Sequence, residues 1–296
     1  LGAADLFKRA VGHPVEAWMP TFAWCTWRHQ LRTGTAARDA LAPAAPVPET
    51  LDLGRTLVAG VGAIGSALLY LVDLAPTRGT VGLLDRDRVE TSNLNRSPLF
   101  TAGDALAKAE KVSVGREYLG GRDLVVEAYR GTWRECVDQV RAARFDTWVS
   151  FTNEDAAWAE IPFQLPPVVV HGTTTSGWGF GAGRHVPGRD DCTLCRMPRP
   201  AAEFRGPCAE GDVAPPTAPA PVRTSLPFLS TAAAALVYAE LAKRGHRDEA
   251  ELPNDVAADL REGLPAVLAV TRRGTPGCRG CRAAALSKAA SGADGR

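Results

Sequence analysis

Gly60, Gly62 and Gly65 form a Gly-x-Gly-x-x-Gly turn, and Asp85 comes 20 residues after the last of them. Glycines at this spacing permit a tight turn and a close backbone approach to phosphate, and the start of the next helix favours an anion. A carboxylate about 20 residues on is placed to bond ribose hydroxyls. Such a turn alone speaks only of a nucleotide. The residues beyond Asp85 narrow the chemistry. Ser92-Asn93-Leu94-Asn95-Arg96 is a polar, cationic block, and Lys108 and Lys111 come after it. Hydride transfer needs no such cluster, so a nicotinamide-dependent oxidoreductase rests on the glycine turn alone. Transfer of a phosphoryl or nucleotidyl group does need it, because charge must be stabilised on a moving phosphate. Only 5 of the 34 basic residues are lysine, which makes the Lys108/Lys111 pair more informative than usual.

Four of the seven cysteines stand in two C-x-x-C pairs, Cys192/Cys195 and Cys278/Cys281. Each spacing lets two thiolates share one tetrahedral Zn²⁺, so the metal would staple a long loop to the C-terminal part. Two such pairs argue for a reduced compartment and a structural metal rather than disulfides or a redox pair. Cys25, among tryptophans, and Cys136, within an expected helix, read as packing residues.

The run Asp85-Arg86-Asp87-Arg88-Val89-Glu90-Thr91-Ser92-Asn93-Leu94-Asn95-Arg96 reproduces a D-x-D-x-V-x-x-S-N-L-x-R block. In this the sequence resembles the ThiF/MoeB and ubiquitin-activating-enzyme family, from about Arg55 to the C-terminal end. The resemblance implies ATP-dependent adenylation of the C-terminal carboxylate of a ubiquitin-like or sulfur-carrier protein, or of a peptide. It gives Asp85, with Asp87 beside it, to the ribose, Asn93 and Arg96 to the phosphates, and a lysine to the polyphosphate. The family writes that lysine as G-x-x-K. The glycine is missing in Ala107-Lys108-Ala109-Glu110-Lys111; Lys111 is the first choice and Lys108 the second. The family's Mg²⁺-binding aspartate aligns with Asn153, a poorer ligand for a hard cation, with Asp155 two residues on. Cys208 lies where thiol-using members carry an acceptor cysteine, which the acyl-adenylate would esterify; an ordinary loop cysteine is the alternative. The family also implies a homodimer, in which Arg28 or Arg32 would reach the other subunit's ATP. Asn153 and the lost glycine leave a second reading open: a catalytically impaired scaffold that binds a ubiquitin-like partner.

The elements that must position these residues alternate. Strands are expected at 56–59, 80–84, 124–128, 147–151, 167–170 and 266–270. Helices are expected at 66–74, 111–119, 133–143 and 226–243. Alternation of this kind implies an α/β, Rossmann-like, mostly parallel sheet with helices on both faces and a C-terminal zinc-stapled extension. Residues 1–50 read as a separate aromatic and arginine-rich segment holding Trp18, Phe22, Trp24 and Trp27. Within it residues 27–40 are expected to be helical, and Ala42-Pro43-Ala44-Ala45-Pro46-Val47-Pro48 to be a linker. Residues 51–296 are then the adenylation domain. Residues 172–183 are Gly/Thr-rich and suit a surface that receives a partner's tail. Residues 214–221 suit a mobile crossover loop, and His171 reads as structural.

Bulk properties exclude other classes. The 296 residues are 45% apolar and 23% charged, as in an ordinary globular chain. The net charge of +1 gives no electrostatic case for nucleic acid or membrane. No apolar run reaches the ~20 residues of a membrane helix, and no signal peptide is visible, so a cytoplasmic protein is expected. Leu1 in place of methionine suggests a chain processed or cut from a longer one.

Overall fold

A computed structural model describes residues 6, 21–37, 39, 48–152, 155–175, 178–196, 211–213, 222–224, 226–246, 249–260 and 265–293. Twelve strands lie among them: β1 Phe22–Cys25, β2 Gln30–Thr33, β3 Leu51–Ala59, β4 Thr77–Asp85, β5 Leu124–Arg130, β6 Thr147–Ser150, β7 Val168–Thr174, β8 Gly179–His185, β9 Gly211–Val213, β10 Val222–Thr224, β11 Asp255–Asp259 and β12 Ala266–Val270. Eight α-helices accompany them: α1 Ala63–Asp73, α2 Ala102–Ala107, α3 Lys111–Leu119, α4 Trp133–Ala142, α5 Asp155–Gln164, α6 Thr193–Arg196, α7 Pro227–Lys243 and α8 Arg279–Ala293.

The central sheet has eight strands in the order β12-β11-β8-β7-β6-β3-β4-β5. From β7 to β5 every pairing is parallel, and β8, β11 and β12 add an antiparallel edge. Short apolar strands make this sheet because each feeds two cores. Leu57, Leu84, Trp148 and Val169 join the cluster with Trp133 and Ile161 of α4 and α5. Their neighbours Val58, Leu83, Val149 and Val170 join the cluster with Leu68 of α1 and Leu236 of α7. Period-two side chains thus bury both faces, as a doubly covered parallel sheet requires.

The chain starts at β3, walks outward to β5, then crosses back to β6 on the other side of β3. That reversal opens a crevice at the carboxyl ends of β3 and β6, the usual place for a ligand on such a sheet.

Three sequence expectations are corrected by this fold. Residues 27–40 are not a helix: residues 26–29 turn, with His29 at φ 54°, and β2 pairs antiparallel with β1. The aromatic residues there bury themselves as a hairpin. Trp24 lies 6.0 Å from the Phe180 ring, and Trp27 meets His246 edge-on at 5.0 Å. The strand expected at 167–170 runs on to Thr174, because His171 and Gly172 face cores and not solvent. Of residues 172–183, expected as a surface for a partner's tail, 179–183 belong to β8, a fully buried strand whose glycines let neighbouring chains approach.

The hairpin is pinned by a buried ionic cluster. Glu240 of α7 accepts from Arg184 Nη1 at 2.9 Å and from Lys243 Nζ, and Lys243 also donates to His29 Nε2 at 3.2 Å. Lys243 is 0% exposed at its side chain and Glu240 2%, so removing one member would strand another charge without water. No helix among the described residues is long and apolar enough to cross a membrane.

Candidate functional site

The site begins where β3 ends. Gly60 has φ 98° and donates its N–H to Leu84 O at 2.7 Å; a Cβ there would lie 2.9 Å from the Phe151 backbone. A Cβ on Gly65 would sit 2.0 Å from Gly60 O. Both positions therefore need glycine for the turn to close. Gly62 differs: a Cβ there would meet nothing within 4 Å. It is the N-cap of α1, which has no side-chain cap and no acidic residue in its first turn. The start of α1 thus leaves its first-turn N–H groups without a side-chain cap, beside open space at Gly62, an arrangement that suits a phosphate.

Asp85 ends β4 beside this turn. Its Oδ2 accepts from Val61 N–H at 2.7 Å and its Oδ1 from Asp87 N–H at 2.8 Å. Burial pushes its carboxyl above the usual range, opposed by the charge of Lys111 and by those two backbone bonds. Lys111 opens α3, is 6% exposed, and donates from Nζ to Asp87 Oδ2 at 2.9 Å. The loop after β4 reaches it because Arg88 bridges Glu110 and Val89 N–H donates to Ala109 O at 2.7 Å. Turn, carboxylates and lysine, spread over 52 residues of sequence, thus converge on one edge of the sheet.

Lys108 stands elsewhere. It is exposed and ends α2 in the left-handed region, φ 48° and ψ 45°. That conformation favours glycine. Counting back three from Lys111 lands on Lys108, so where G-x-x-K has glycine this chain has a lysine in a left-handed conformation. Asn93 is buried in the 3₁₀ turn Thr91–Asn93, where its Oδ1 accepts from Glu90 N–H at 3.0 Å. Arg96, half-buried, donates from Nη1 to Ser92 O at 2.7 Å. These two hold the turn's own backbone, and no bond joins them to Asp85 or Lys111. Arg28 and Arg32 are exposed on the hairpin. Asn153 and Cys208 lie outside the described residues, as do residues 214–221.

The four paired cysteines do come together. Their sulfurs all lie within 4.8 Å of one another. Cys192 and Cys278 are 3.4 Å apart, Cys195 and Cys281 3.4 Å, and Cys192 and Cys195 4.0 Å. A tetrahedral ion with Zn–S near 2.3 Å needs sulfurs about 3.8 Å apart. The donor set and spacing therefore fit zinc, and the cluster could bind it. Gly280 is required for this approach, since a Cβ would fall 2.8 Å from Cys192 Sγ.

Sequence reading missed the group that sits between this cluster and the sheet. His185 Nδ1 lies 3.0 Å from Asp191 O, and His185 Nε2 lies 2.8 Å from His171 Nδ1, with the two rings stacked. Arg196, next to Cys195, donates to both Asp191 and Asp255. Burial pushes both histidines below their ordinary value, His171 well below. Burial raises Asp191, yet hydrogen bonds from His185 and Arg196 outweigh it and hold the carboxyl down to about 2. No sequence spacing marks this group, which joins residues from three strands and a short helix.

Comparison with known proteins finds similarity over the part of the chain that carries the glycine turn. Residues 42–153 match the ThiF family model. Over 174 residues the chain is 36% identical to the uncharacterized protein y4jF of Sinorhizobium fredii, covering 58% of this chain and 32% of that protein. The matched part thus spans about a third of that relative's length. Among solved structures, E. coli MccB with ATP superposes with a TM-score of 0.58 at 18% identity, over 78% of this chain and 67% of that one. The microcin C7 biosynthetic enzyme MccB in complex with N-formylated MccA gives 0.57 at 18%, over 77% and 67%. PaaA gives 0.52 at 15%, over 74% and 64%. At such identities the structural likeness is one of fold. The ThiF match itself covers residues 42–153, so the similarity to that family holds for this part of the chain.

Proposed function

We propose that this ThiF/MoeB-like chain uses ATP to adenylate a carboxylate, and that the carboxylate is the C-terminus of a peptide or of a ubiquitin-like or sulfur-carrier protein. The observation that carries the reading is the uncapped start of α1 at Gly62 set beside buried Lys111 and the Asp85/Asp87 pair. A phosphate-binding turn with a buried cation suits a phosphate that reacts as well as binds. The fold neighbour MccB has been seen with ATP and with N-formylated MccA, which supports a polypeptide partner here, since an N-formyl group sits on a chain's amino end.

In the proposed reaction a carboxylate oxygen attacks the α-phosphorus and a new P–O bond forms. The bond to the bridging oxygen breaks, and pyrophosphate leaves with the electron pair. Asp85 receives the ribose hydroxyls. Lys111 exchanges Asp87 for the polyphosphate, and Arg96 turns from Ser92 O to share the charge on the leaving group. The position the family gives to Mg²⁺ falls on Asn153, so no step here is routed through that metal. The four cysteines would hold a zinc ion that ties α6 to the start of α8, a structural part outside the chemistry. Passage of the acyl group to Cys208, and pairing of two chains as a homodimer, belong to the same proposal.

The test is carboxylate-dependent ATP–pyrophosphate exchange. Exchange that appears only with a free C-terminal carboxylate supports the reading, and its absence with the true partner present sinks it. The second reading, a scaffold that binds a partner without turnover, is favoured by Asn153 and by lysine at the glycine position of G-x-x-K. Metal-dependent ATP binding in a calorimeter would count against it.

A further inference from the structure

The β1–β2 hairpin carries several costs in its docked form. Two of its polar groups, Trp24 Nε1 and His29 Nδ1, are buried with no hydrogen-bond partner among the described residues. Each forgoes the bond that water would supply. His29 also stands at φ 54°, a left-handed conformation that a residue other than glycine holds only where its surroundings impose it. Undocking would give both donors water and let His29 relax. Opposing it are the packing of Trp24 on Phe180, that of Trp27 on His246, and the contact of His29 with the buried ionic cluster.

That contact works only with a neutral ring. The Lys243 ammonium has donors alone, so His29 Nε2, 3.2 Å from it, is bare and the ring proton sits on Nδ1. Glu240 Oε1 is 3.6 Å from the same nitrogen, too far for a hydrogen bond, and already accepts from Lys243. The charges around the ring balance: Arg184 and Lys243 stand against Glu240 and Glu249, the last paired with Arg184. Cys25 of β1 bears on Lys243, and His246 lies against Trp27. The side chains of His29, Arg184, Glu240 and Lys243 are 1%, 1%, 2% and 0% exposed. A proton on Nε2 would add a fifth charge here, with its N–H aimed at an ammonium and no water to screen the pair. Burial first, then the charges of Lys243 and Arg184, hold His29 below its ordinary 6.5, against the pull of Glu240.

We propose that the β1–β2 hairpin is an acid-released clamp: a proton taken up by His29 breaks its contact with Lys243 and frees the hairpin from α7. A freed ring titrates near its ordinary value and the docked ring lower. Docking is therefore fully supported above about pH 6.5 and weakens as pH falls below it, by up to about tenfold in the docked-to-free ratio per pH unit. Release also takes Trp24 out of the wall of a cleft of about 380 Å³ that Phe180, Phe228, Thr231, Ala235 and Leu236 line with it. An apolar face thus opens as the charge is taken up. No residue of the glycine turn and no part of the Lys111 site enters, so the clamp does not depend on the adenylation reading.

The test uses the full zinc-loaded chain with 5-fluorotryptophan at its seven tryptophans. Trp24→Phe and Trp27→Phe assign the hairpin signals. Between about pH 8 and about pH 5 the Trp24 and Trp27 resonances should move together to the position of an exposed indole. Those of Trp133 and Trp148, which meet edge-on at 5.3 Å in the core, should stay. His29→Gln is uncharged at every pH, and its Oε1 accepts from Lys243; it should keep the hairpin docked to the acid end of the titration. Unmoved Trp24 and Trp27 signals overturn the proposal. So does movement shared with Trp133 and Trp148, which is general unfolding, and so does equal release in His29→Gln. If His29→Gln is undocked from the start, the wild-type ring decides: the ¹⁵N signals of His29 should titrate together with the Trp24 step, and a separate midpoint overturns the clamp.

Discussion

The two halves of the site are built in opposite ways. The glycine-turn end draws Gly60, Asp85, Asp87 and Lys111 from 52 consecutive residues, two strands and the turns after them. The cysteine end draws His171, His185, Asp191, Arg196, Asp255 and Cys281 from a span about twice as long, with strands running both ways. One half is positioned by local backbone geometry, glycine by glycine. The other is positioned by side chains that meet only after the sheet has formed. Damage should therefore spread differently: a change at the glycine turn stays local, while loss of the sulfur cluster loosens everything tied to it.

Chelation is the hardest test of that contrast. Stripping a metal from the four cysteines, or making Cys278→Ser, should cost more than about 3 kcal/mol of stability and broaden the His171 and His185 signals while leaving the glycine turn folded. Metal analysis of the wild-type chain should return one zinc per chain. Gly65→Ala comes next. Its methyl would overlap Gly60 O, and overpacking of this kind costs about 1–3 kcal/mol. Urea unfolding should show that loss, and calorimetry should show weaker ATP binding with the zinc retained.

Acid should separate the halves at a similar scale. The folded carboxyl of Asp191 titrates at about 2, below its ordinary 3.8. Its contribution is therefore complete above about pH 4 and fades as pH falls toward 2, worth about 2 kcal/mol in all. Stability curves of wild type and Asp191→Asn should converge across that window. His171 works over a different window with its own sign. Its folded value lies well below 6.5, so the unfolded chain binds the proton first and stability drops as pH falls below about 6.5. Lys111→Ala should weaken ATP binding about tenfold or more without lowering the melting temperature to match, since it removes one charge-assisted contact. Lys108→Gly has the smallest expected effect and the opposite sign. It relaxes a left-handed residue at the end of α2 and should stabilise the chain by about 0.5–1 kcal/mol.

The same contrast explains what could be read in advance. The glycine turn, Asp85, α3 from Lys111 to Leu119 and β12 from Ala266 to Val270 follow from local signals: glycine spacing, period and apolar runs. Counting along the chain also puts Lys111 ahead of Lys108, but no spacing reports the left-handed backbone at residue 108. Residues 27–40 misled because their arginines suggest a solvated helix, whereas His29 turns inward onto Lys243 of α7 and Trp27 onto His246 just beyond it. Residues 172–183 suit a surface by sequence because a glycine-rich strand such as their 179–183 part has few side chains to announce burial. The two C-x-x-C pairs gave the sulfur cluster away, but nothing in their spacing pointed to the histidines behind it.

The sulfur cluster also makes the chain a closed circuit. Cys192 and Cys278 are 86 positions apart, yet their sulfurs lie 3.4 Å from each other. With metal bound, the polypeptide between Arg196 and Cys278 leaves and returns to the same knot. A protease that cuts once inside that circuit would release nothing: the two pieces stay linked through the metal, and separate only when a chelator opens it.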